Sequence, residues 1–300
     1  MEKVMLTEDL SFSRIIHGLW RLNSWNMNDE EVVKLIEDCL ELGITTFDHA
    51  DIYGNYQNEE LFGKALQLKP SLREQMELVT KCGIKLVSDQ RPEHAIKYYD
   101  TSKEHIIKSA ENSLRNLQTD YIDVLLIHRP DPAMDPGEVA EAFTTLKKQG
   151  KVRHFGVSNF TPSQFEMLSS YLDFPLVTNQ VEISVSHLNT FHDGTIEHCL
   201  QKRVAPMAWS PLAGGTIFEG KDEKSNRLKK ALEEVGAELS VSEIDKVMYA
   251  WLLNHPSRIM PIVGSGKIDR IKTAVEAANI QLTRQQWFKI WIASTGEDVA

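Results

Sequence analysis

The chain is poor in cysteine, carries fewer basic than acidic residues and contains no long apolar run. Only three of its 300 residues are cysteines (Cys39, Cys82 and Cys199), too few and too scattered for a disulfide scaffold or a structural zinc site. The 43 acidic residues outnumber the 33 basic ones, and the formal charge of −10 argues against nucleic acid or an anionic membrane as a partner. No apolar run approaches the length of a membrane span, and the start of the chain lacks a signal-peptide layout. These absences predict a cytoplasmic protein.

What the chain does contain is a regular alternation of short apolar runs with amphipathic segments. Several runs are continuously apolar, which is typical of strands buried on both faces. The predicted strands cover residues 15–16, 44–47, 76–80, 122–127, 152–157, 176–181, 204–209 and 259–263. Eight strands alternating with helices predict an α/β fold, a (β/α)8 TIM barrel, with a doubly wound sheet as the alternative because it uses the same units. We expect one domain over residues 1–300, with a C-terminal helical tail from about residue 283.

Capping residues mark where several of the predicted helices begin. Asn28 with Glu31 forms a capping-box pattern ahead of the first amphipathic segment, and Ser102 precedes a second. Ser240 with Glu243 has the same spacing and predicts the start of a third helix. Apolar residues then recur at intervals of three and four, so each helix has one face that can pack on the sheet.

Polar residues collect where the predicted strands end. The C-terminal ends of strands two to eight carry Asp48, Lys81, His128, Ser158 with Asn159, Gln180, Trp209 with Ser210, and Gly264 with Ser265. In a (β/α)8 barrel these ends meet at one rim, where functional groups are placed. The pattern therefore predicts a functional site at that rim.

Four residues at or just after these ends form a set suited to proton transfer, namely Asp48, Tyr53, Lys81 and His128. Tyrosine has an ordinary pKa near ~10, and an adjacent ammonium could lower it by roughly 1–3 if the site is partly dry. Asp48 would keep Lys81 charged, while His128 could donate a hydrogen bond to a carbonyl oxygen. Taken singly, each has a simpler explanation: a packed tyrosine, a solvated lysine, a core histidine. Their coincidence at consecutive strand ends predicts a site that delivers a proton to an oxygen gaining negative charge.

Ordered motifs along residues 13–278 resemble the aldo-keto reductase family. They are "FDHADIYG", in which Asp48 and Tyr53 are five residues apart, then "LVTKC", "DYIDVLLIHRPD", "GKVRHFGVSNF", "NQVEIS" and "AWSPLAGG" in the family's order. The tail "TRQQWFKI" is similar to the bacterial YdhF-like oxidoreductase branch. The resemblance implies an NADPH-dependent oxidoreductase that reduces an aldehyde or ketone to an alcohol by hydride transfer, with Tyr53 as the general acid. It also implies that Lys81 and Asp48 tune Tyr53 and that His128 orients the carbonyl.

The same resemblance implies how the nicotinamide is held. Ser158, Asn159 and Gln180 would bind its carboxamide. Trp209 occupies the position of the aromatic ring that stacks on it, where the family more often has Tyr or Phe.

Two glycine-containing turns predict where the cofactor phosphates bind. Residues 210–215 follow strand seven and residues 264–270 join strand eight to a helix, the places where barrels often bind phosphate. Glycine lets the backbone approach a phosphate, and a helix N-terminus offers free N–H groups. Asp269 stands where a dinucleotide fingerprint requires glycine, so this is not a Rossmann motif. The predicted cofactor contacts are Ser210, Pro211, Leu212, Gly214, Gly215, Gly264, Ser265, Gly266, Lys267 and Arg270.

The residues expected near the adenosine end of the cofactor predict whether the protein prefers NADPH or NADH. In the family, a serine and an arginine spaced like Ser265 and Arg270 contact the 2′-phosphate, which implies NADPH in preference to NADH. Here Gly264 replaces the lysine that usually precedes the serine, and Thr273 and Ala274 replace an acidic and an amide residue that contact adenine.

The substrate pocket is expected in the loops that follow the strands. Its predicted lining residues are Trp25, Tyr56, His128 and Arg129. Aromatic residues favour an apolar or ring-bearing carbonyl compound, and Arg129 would suit a carboxylate. Residues 87–102 form a long connection that could close over the site as a lid. The expected partner is a small-molecule carbonyl substrate, and the family's members imply a monomer or weak oligomer.

Two other functions fit parts of the sequence. The candidate ligands of a metal-dependent hydrolase barrel are His17, His49, Asp51, His128 and His154. Because side chains alternate along a strand, those of His49 and His154 should point away from the centre of the rim. The positive charge of Lys81 would also repel a metal cation, so we expect no metal site. A nicotinamide-binding sensor would keep the fold and the cofactor site without turnover. All four catalytic residue types are present, which favours the enzyme.

Overall fold

The computed structural model describes residues 1–299 of the protein, in which twelve strands are present. The strands are β1 Lys3–Met5, β2 Ser11–Ser13, β3 Ile16–Gly18, β4 Thr46–Asp48, β5 Glu77–Cys82, β6 Ile84–Lys85, β7 Tyr98–Tyr99, β8 Ile122–Ile127, β9 Val152–Ser158, β10 Leu176–Glu182, β11 Met207–Trp209 and β12 Met260–Val263. Eight of them form a closed barrel in the order β3-β4-β5-β8-β9-β10-β11-β12, and β12 pairs in parallel with β3.

Each of the eight predicted apolar runs overlaps one barrel strand. The (β/α)8 prediction is therefore confirmed. Closure between β12 and β3 excludes the doubly wound sheet, which is open at both edges. The remaining four short strands form two hairpins outside the barrel, β1 with β2 and β6 with β7.

Helices follow the barrel strands and pack around them. They are α1 Asp29–Glu41, α2 Tyr53–Tyr56, α3 Asn58–Leu68, α4 Lys103–Asn116, α5 Pro136–Lys148, α6 Pro162–Ser169, α7 Thr195–Lys202, α8 Thr216–Glu219, α9 Glu223–Leu239, α10 Ile244–Leu253, α11 Ile268–Glu276 and α12 Arg284–Thr295. Among residues 1–299, no helix combines the length and the apolar character needed to cross a membrane.

Two of the three predicted helix starts are confirmed, and one is wrong. Asn28 and Glu31 exchange both hydrogen bonds of a capping box at 2.8 Å, and the Ser102 hydroxyl accepts the N–H of His105 at 3.3 Å. Ser240 instead ends α9, in a left-handed conformation with φ of 58°. One helix ends and the next begins within a few residues there, so α10 starts only after Glu243, whose side chain makes no cap.

A hairpin that the sequence patterns did not predict covers the N-terminal end of the barrel. Val4, Leu10 and Phe12 of β1, β2 and their turn are buried in the same hydrophobic cluster as the inward residues of the barrel strands. Each of these two strands has three residues, too few for alternation to be recognised. Because the hairpin fills this end, the opposite, C-terminal rim is the open one.

The last helix, α12, is fixed to helix α10 by an indole pair. The rings of Trp251 and Trp287 stack with centroids 4.6 Å apart and an interplanar angle of 11°. Each indole N–H donates to the main-chain carbonyl of the other residue at 3.1 Å. Both polar atoms of this buried contact are therefore satisfied.

Candidate active site

The predicted catalytic residues meet at the C-terminal rim around the ammonium of Lys81. Val79 of β5 lies in the barrel interior, so alternation also points Lys81 inward, where its side chain is fully buried. An ammonium has three N–H donors. Here they reach the Asp48 carboxylate at 2.8 Å, the main-chain carbonyl of His49 at 2.7 Å and the hydroxyl oxygen of Tyr53 at 2.9 Å. All three donors of Lys81 are thus used to fix it against Asp48 and Tyr53.

The charges of this cluster depend on one another. Burial opposes the charge of Lys81, but Asp48 and Tyr53 together raise the pKa of its ammonium, so it stays protonated. Burial raises the pKa of Asp48, and Lys81 counteracts this. For Tyr53, burial raises the pKa and outweighs the charge of Lys81. The expectation of a lowered tyrosine pKa is therefore wrong for the free protein, in which the phenol keeps its proton.

The turn that presents Tyr53 has a left-handed backbone locked by Asn58. Gly54 and Asn55 have φ of 57° and 58°. A Cβ on Gly54 would lie 1.8 Å from Oδ1 of Asn58, so only glycine fits there. The fully buried Asn58 donates to the carbonyl of Leu19 at 2.7 Å and thereby joins this turn to the one after β3. Sequence reasoning missed Asn58; the Gly that follows Tyr53 was the only local signal of a strained turn.

His128 stands beside Tyr53 as a neutral imidazole. Their rings meet edge to face with centroids 5.8 Å apart. Burial, helped by the charges of Lys81 and Arg129, holds the pKa of His128 well below its ordinary value. Its Nδ1 is buried and has no partner within residues 1–299. A neutral ring carries one N–H, which suits hydrogen-bond donation to a substrate oxygen.

The residues predicted to bind the nicotinamide form a chain of hydrogen bonds next to the quartet. Trp209 Nε1 donates to Asn159 Oδ1 at 3.0 Å, and Asn159 Nδ2 donates to the Ser158 hydroxyl at 2.8 Å. The Ser158 hydroxyl in turn donates to the main-chain carbonyl of Gln180 at 2.9 Å. Gln180 Nε2 donates to the Asp48 carboxylate at 2.8 Å. The chain thus couples the Asp48 carboxylate to the predicted nicotinamide site, a link that the sequence did not reveal.

The predicted phosphate turns lie on the same rim and expose backbone and cationic groups. Lys267 and Arg270, at the N-terminal end of α11, are exposed and form no ion pair within residues 1–299. The Lys267 N–H donates to the Ser265 hydroxyl at 3.1 Å. Across the rim, a Cβ on Gly214 would meet no atom within 4 Å, so the backbone of residues 210–215 is open to a ligand. Free cations, open glycines and a helix N-terminus are a donor set that fits phosphate.

Two of the predicted substrate residues make contacts away from the quartet. Trp25 packs on Gly266 so closely that a Cβ there would lie 2.7 Å from its ring. The Tyr56 hydroxyl accepts the N–H of Leu86 at 2.8 Å, and the guanidinium of Arg91 lies 4.5 Å from the Tyr56 ring centroid. Tyr56 thus anchors the start of the 87–102 connection. Arg129 lies beside the quartet, 5.5 Å from the Trp209 ring centroid.

The candidate metal ligands of the hydrolase alternative do not come together. His154 lies 3.3 Å from Asp9, which precedes β2 at the N-terminal end of the barrel. His17 packs against Phe47 on the outer side of the strands, with ring centroids 5.9 Å apart. Within residues 1–299, no group of three or more His, Cys, Asp or Glu side chains is arranged around a common point for a metal ion.

His49 is a buried histidine that we expect to destabilise the fold. Neither ring nitrogen has a partner within residues 1–299, and burial, with the charge of Lys81, lowers its pKa to about 3. Replacing His49 with Leu should raise the free energy of unfolding by about 1–2 kcal/mol at pH 7, because an unsatisfied polar group is removed. Urea unfolding of both proteins measures the difference.

Acidification should widen this difference. Below pH ~6.5 His49 is protonated in the unfolded state but stays neutral in the folded state. The unfolded state therefore binds more protons, and the free energy of unfolding of the wild type falls by about 1.4 kcal/mol per pH unit. His49→Leu lacks this loss. Parallel stability curves for the two proteins between pH 7 and pH 5 would contradict the assignment.

Known proteins resemble the chain in sequence and in structure. It matches the Aldo/keto reductase family over residues 14–293. It is 55% identical to the oxidoreductase YdhF of Escherichia coli strain K12, covering 96% of this chain and 95% of that protein. It is 42% identical to a 6-dehydroglucose reductase of Agrobacterium fabrum strain C58, with 100% of both chains covered. A crystal structure of a thermostable aldo-keto reductase with the inhibitor epalrestat superposes with a TM-score of 0.83 at 28% identity, covering 98% of this chain and 100% of that one.

Proposed function

Because the chain belongs to the aldo/keto reductase family of oxidoreductases, we propose that it reduces an aldehyde or ketone to an alcohol with NADPH, using Tyr53 as the general acid. The family match and the identity to YdhF confirm the resemblance inferred from the motifs, including the bacterial YdhF-like branch. Members of this family act on small carbonyl compounds with a nicotinamide cofactor. The proposal adds the preference for NADPH and the roles of individual residues.

The observation that carries the proposal is the 2.9 Å hydrogen bond from Lys81 Nζ to the Tyr53 hydroxyl oxygen. Since the ammonium donates to that oxygen, the phenol proton is free to be donated to another acceptor. A cation beside the oxygen also stabilises the phenolate that forms as the proton leaves. Asp48 keeps the cation charged and in place. Tyr53 is thus the proton donor, and Lys81 and Asp48 make the donation favourable.

His128 is proposed to orient the substrate. As a neutral ring beside Tyr53 it can give its N–H to the carbonyl oxygen that Tyr53 will protonate. Two donors on one oxygen stabilise the negative charge that develops there. Because burial keeps the pKa of His128 low, this role does not require a protonated imidazole.

The nicotinamide end of the cofactor fits the hydrogen-bonded chain beside the quartet. When bound, the cofactor would supply the hydride. We propose that Ser158, Asn159 and Gln180 bind its carboxamide and that Trp209 stacks on its ring. Gln180 already gives its N–H group to Asp48, which leaves its carbonyl oxygen for the carboxamide N–H.

The phosphate end fits the two open turns. The proposed contacts are Ser210, Pro211, Leu212, Gly214, Gly215, Gly264, Ser265, Gly266, Lys267 and Arg270. The unpaired charges of Lys267 and Arg270 support this assignment, because an exposed cation pair at a helix N-terminus attracts phosphate.

Replacing Arg270 with Ala should weaken NADPH binding much more than NADH binding. A charge-assisted hydrogen bond to the 2′-phosphate is worth about 1.5–3 kcal/mol, or roughly a 10- to 100-fold change in Kd. NADH lacks that phosphate, so its Kd should stay within about twofold. Fluorescence titration with both cofactors measures the two values.

A matched control for this change lies on the same helix. Lys272 is exposed two residues farther along α11, and Lys272→Ala removes one positive charge as well. It should alter both dissociation constants little. Equal losses for NADPH and NADH in Arg270→Ala would remove Arg270 from the 2′-phosphate site.

The substrate pocket is proposed to include Arg129 together with His128, with Trp25 and Tyr56 farther along its wall. Arg129 forms no ion pair within residues 1–299, and its charge acts on both Tyr53 and His128. A free guanidinium beside the reacting groups favours a substrate that carries hydroxyl or carboxylate groups near its carbonyl. The name of the 6-dehydroglucose reductase relative points to such a compound, so 6-dehydroglucose is a rational first substrate to test.

The experiment that tests the proposal is a screen of aldehydes and ketones that follows the absorbance of NADPH. The panel should pair each apolar carbonyl compound with a hydroxylated and a carboxylated analogue, and should include 6-dehydroglucose. Oxidation of NADPH that depends on the carbonyl compound is the expected result. Tight cofactor binding without turnover across the panel would instead favour the nicotinamide-binding sensor.

A further inference from the structure

We propose that His17 is a positioning residue that orients the turn of Ser265 and Gly266 toward the cofactor phosphates, an inference that rests on the proposed function. His17 belongs to β3 and is fully buried, with Nε2 3.0 Å from the main-chain oxygen of Ser265. A carbonyl oxygen accepts hydrogen bonds only, so Nε2 carries the proton. The other ring nitrogen, Nδ1, is buried without a partner within residues 1–299.

The bond to Ser265 determines where the next N–H points. A trans peptide is planar, and its C=O and N–H groups point in opposite directions. The Ser265 carbonyl points to His17 on the outer side of β3. The N–H of Gly266 therefore points away from His17. The Gly266 N–H makes no hydrogen bond within residues 1–299. It is therefore a free donor next to Lys267, available to a phosphate oxygen.

A second contact holds the same turn from the side. A Cβ on Gly266 would lie 2.7 Å from the Trp25 ring and 3.1 Å from the end of Met27. The rings of His17 and Trp25 are themselves 5.8 Å apart. The turn is thus fixed between His17 and the Trp25 face. Trp25, predicted as a substrate residue, contributes through this packing to the shape of the cofactor turn.

The neutral state of His17 suits this role. Burial lowers its pKa to about 4, although the bond to Ser265 opposes the shift. The imidazole therefore remains an uncharged donor throughout the physiological pH range. It orients the turn without adding a charge of its own beneath it. Lys267 and Arg270 supply the positive charge that attracts the cofactor phosphates.

The experiment compares His17→Leu with His17→Gln in the full-length protein. Leucine removes the donor, whereas the Gln side-chain nitrogen can occupy the place of Nε2. Fluorescence titration should show the NADPH Kd raised about five- to tenfold in His17→Leu and within about twofold of wild type in His17→Gln. At saturating NADPH, kcat and the KM for the carbonyl substrate should change by less than about twofold in both variants.

Each outcome decides between the inference and the function on which it rests. Failure of the wild type to bind NADPH or NADH would overturn the proposed function together with this inference. Wild-type binding with an unchanged Kd in His17→Leu would overturn the inference alone. Weak binding in both variants would also overturn it, since a merely structural role does not distinguish Gln from Leu. If His17→Leu does not fold, as judged by thermal unfolding, His17→Met takes its place with the same expected rise in Kd.

Discussion

Replacing Tyr53 with Phe should lower kcat for carbonyl reduction by about 10²–10⁴-fold, the range typical of losing a general acid. The variant removes one oxygen atom, the acceptor of the 2.9 Å bond from Lys81. In the proposed mechanism the phenol acts on the substrate and not on the dinucleotide, so the NADPH Kd should stay within about twofold. Stopped-flow reduction of a substrate found in the screen measures the rate, and fluorescence titration measures the Kd.

The matched control is Tyr171→Phe, which removes a tyrosine hydroxyl from a side chain that is 55% exposed and lies between α6 and β10, at the end of the barrel where the strands begin. It should leave both rate and affinity as in the wild type. Reduction by Tyr53→Phe at close to the wild-type rate would remove Tyr53 from the proton-transfer step. A large loss of NADPH affinity in the same variant would mean that Tyr53 acts through the cofactor site.

The clustering of the four candidate catalytic residues could be predicted because its signals are local. Asp48, Lys81 and His128 each end a run whose apolar pattern identifies a buried strand, and the barrel rule brings such ends together. Tyr53 follows one of these ends within the same motif. No knowledge of distant pairings was needed beyond the order of the strands. The same reasoning placed the two turns proposed to bind the cofactor phosphates on this rim.

What could not be predicted depends on contacts between residues far apart in the chain. The partner of His17 is 248 residues away, and nothing near His17 in the sequence marks Ser265. Asn58 joins two turns 39 residues apart. The three-residue strands of the N-terminal hairpin are also defined by each other and by the barrel, not by a period of their own. Ser240 was assigned to the wrong helix because its capping pattern overlaps a helix end.

The direction in which the Tyr53 pKa is shifted also could not be predicted from the sequence, because it depends on how much water reaches the phenol. Burial raises the pKa of Tyr53 and outweighs Lys81 in the free protein. This serves a general acid, which must hold its proton at neutral pH. In the proposed mechanism the charge of Lys81 acts when negative charge appears on the Tyr53 oxygen. Sequence reasoning correctly placed Lys81 beside Tyr53 but predicted the wrong direction for the net shift of the Tyr53 pKa.

Breaking the ion pair that supports Tyr53 should cause the largest single loss of stability at the site. Lys81 is 0% exposed and Asp48 is 2% exposed, so each charge depends on the other. Removing one partner of a buried pair typically costs about 3–5 kcal/mol, because an uncompensated charge is left behind. Asp48→Asn should lower the free energy of unfolding by that amount in urea titrations at pH 7. Replacing both partners, as in Asp48→Asn with Lys81→Met, should recover most of the loss.

The pH dependence of Asp48→Asn identifies the cause of its instability. Without the carboxylate, burial should depress the folded pKa of Lys81 below its unfolded value of ~10.4. Between those two pKa values the unfolded state binds more protons, so the free energy of unfolding of the variant should rise with pH. In the wild type the pKa of Lys81 is raised, and this group adds no such slope below pH ~10. The stability deficit of Asp48→Asn should therefore shrink between pH 7 and pH 9.5, whereas a constant deficit would show that the loss comes from packing or the Gln180 bond and not from a stranded ammonium.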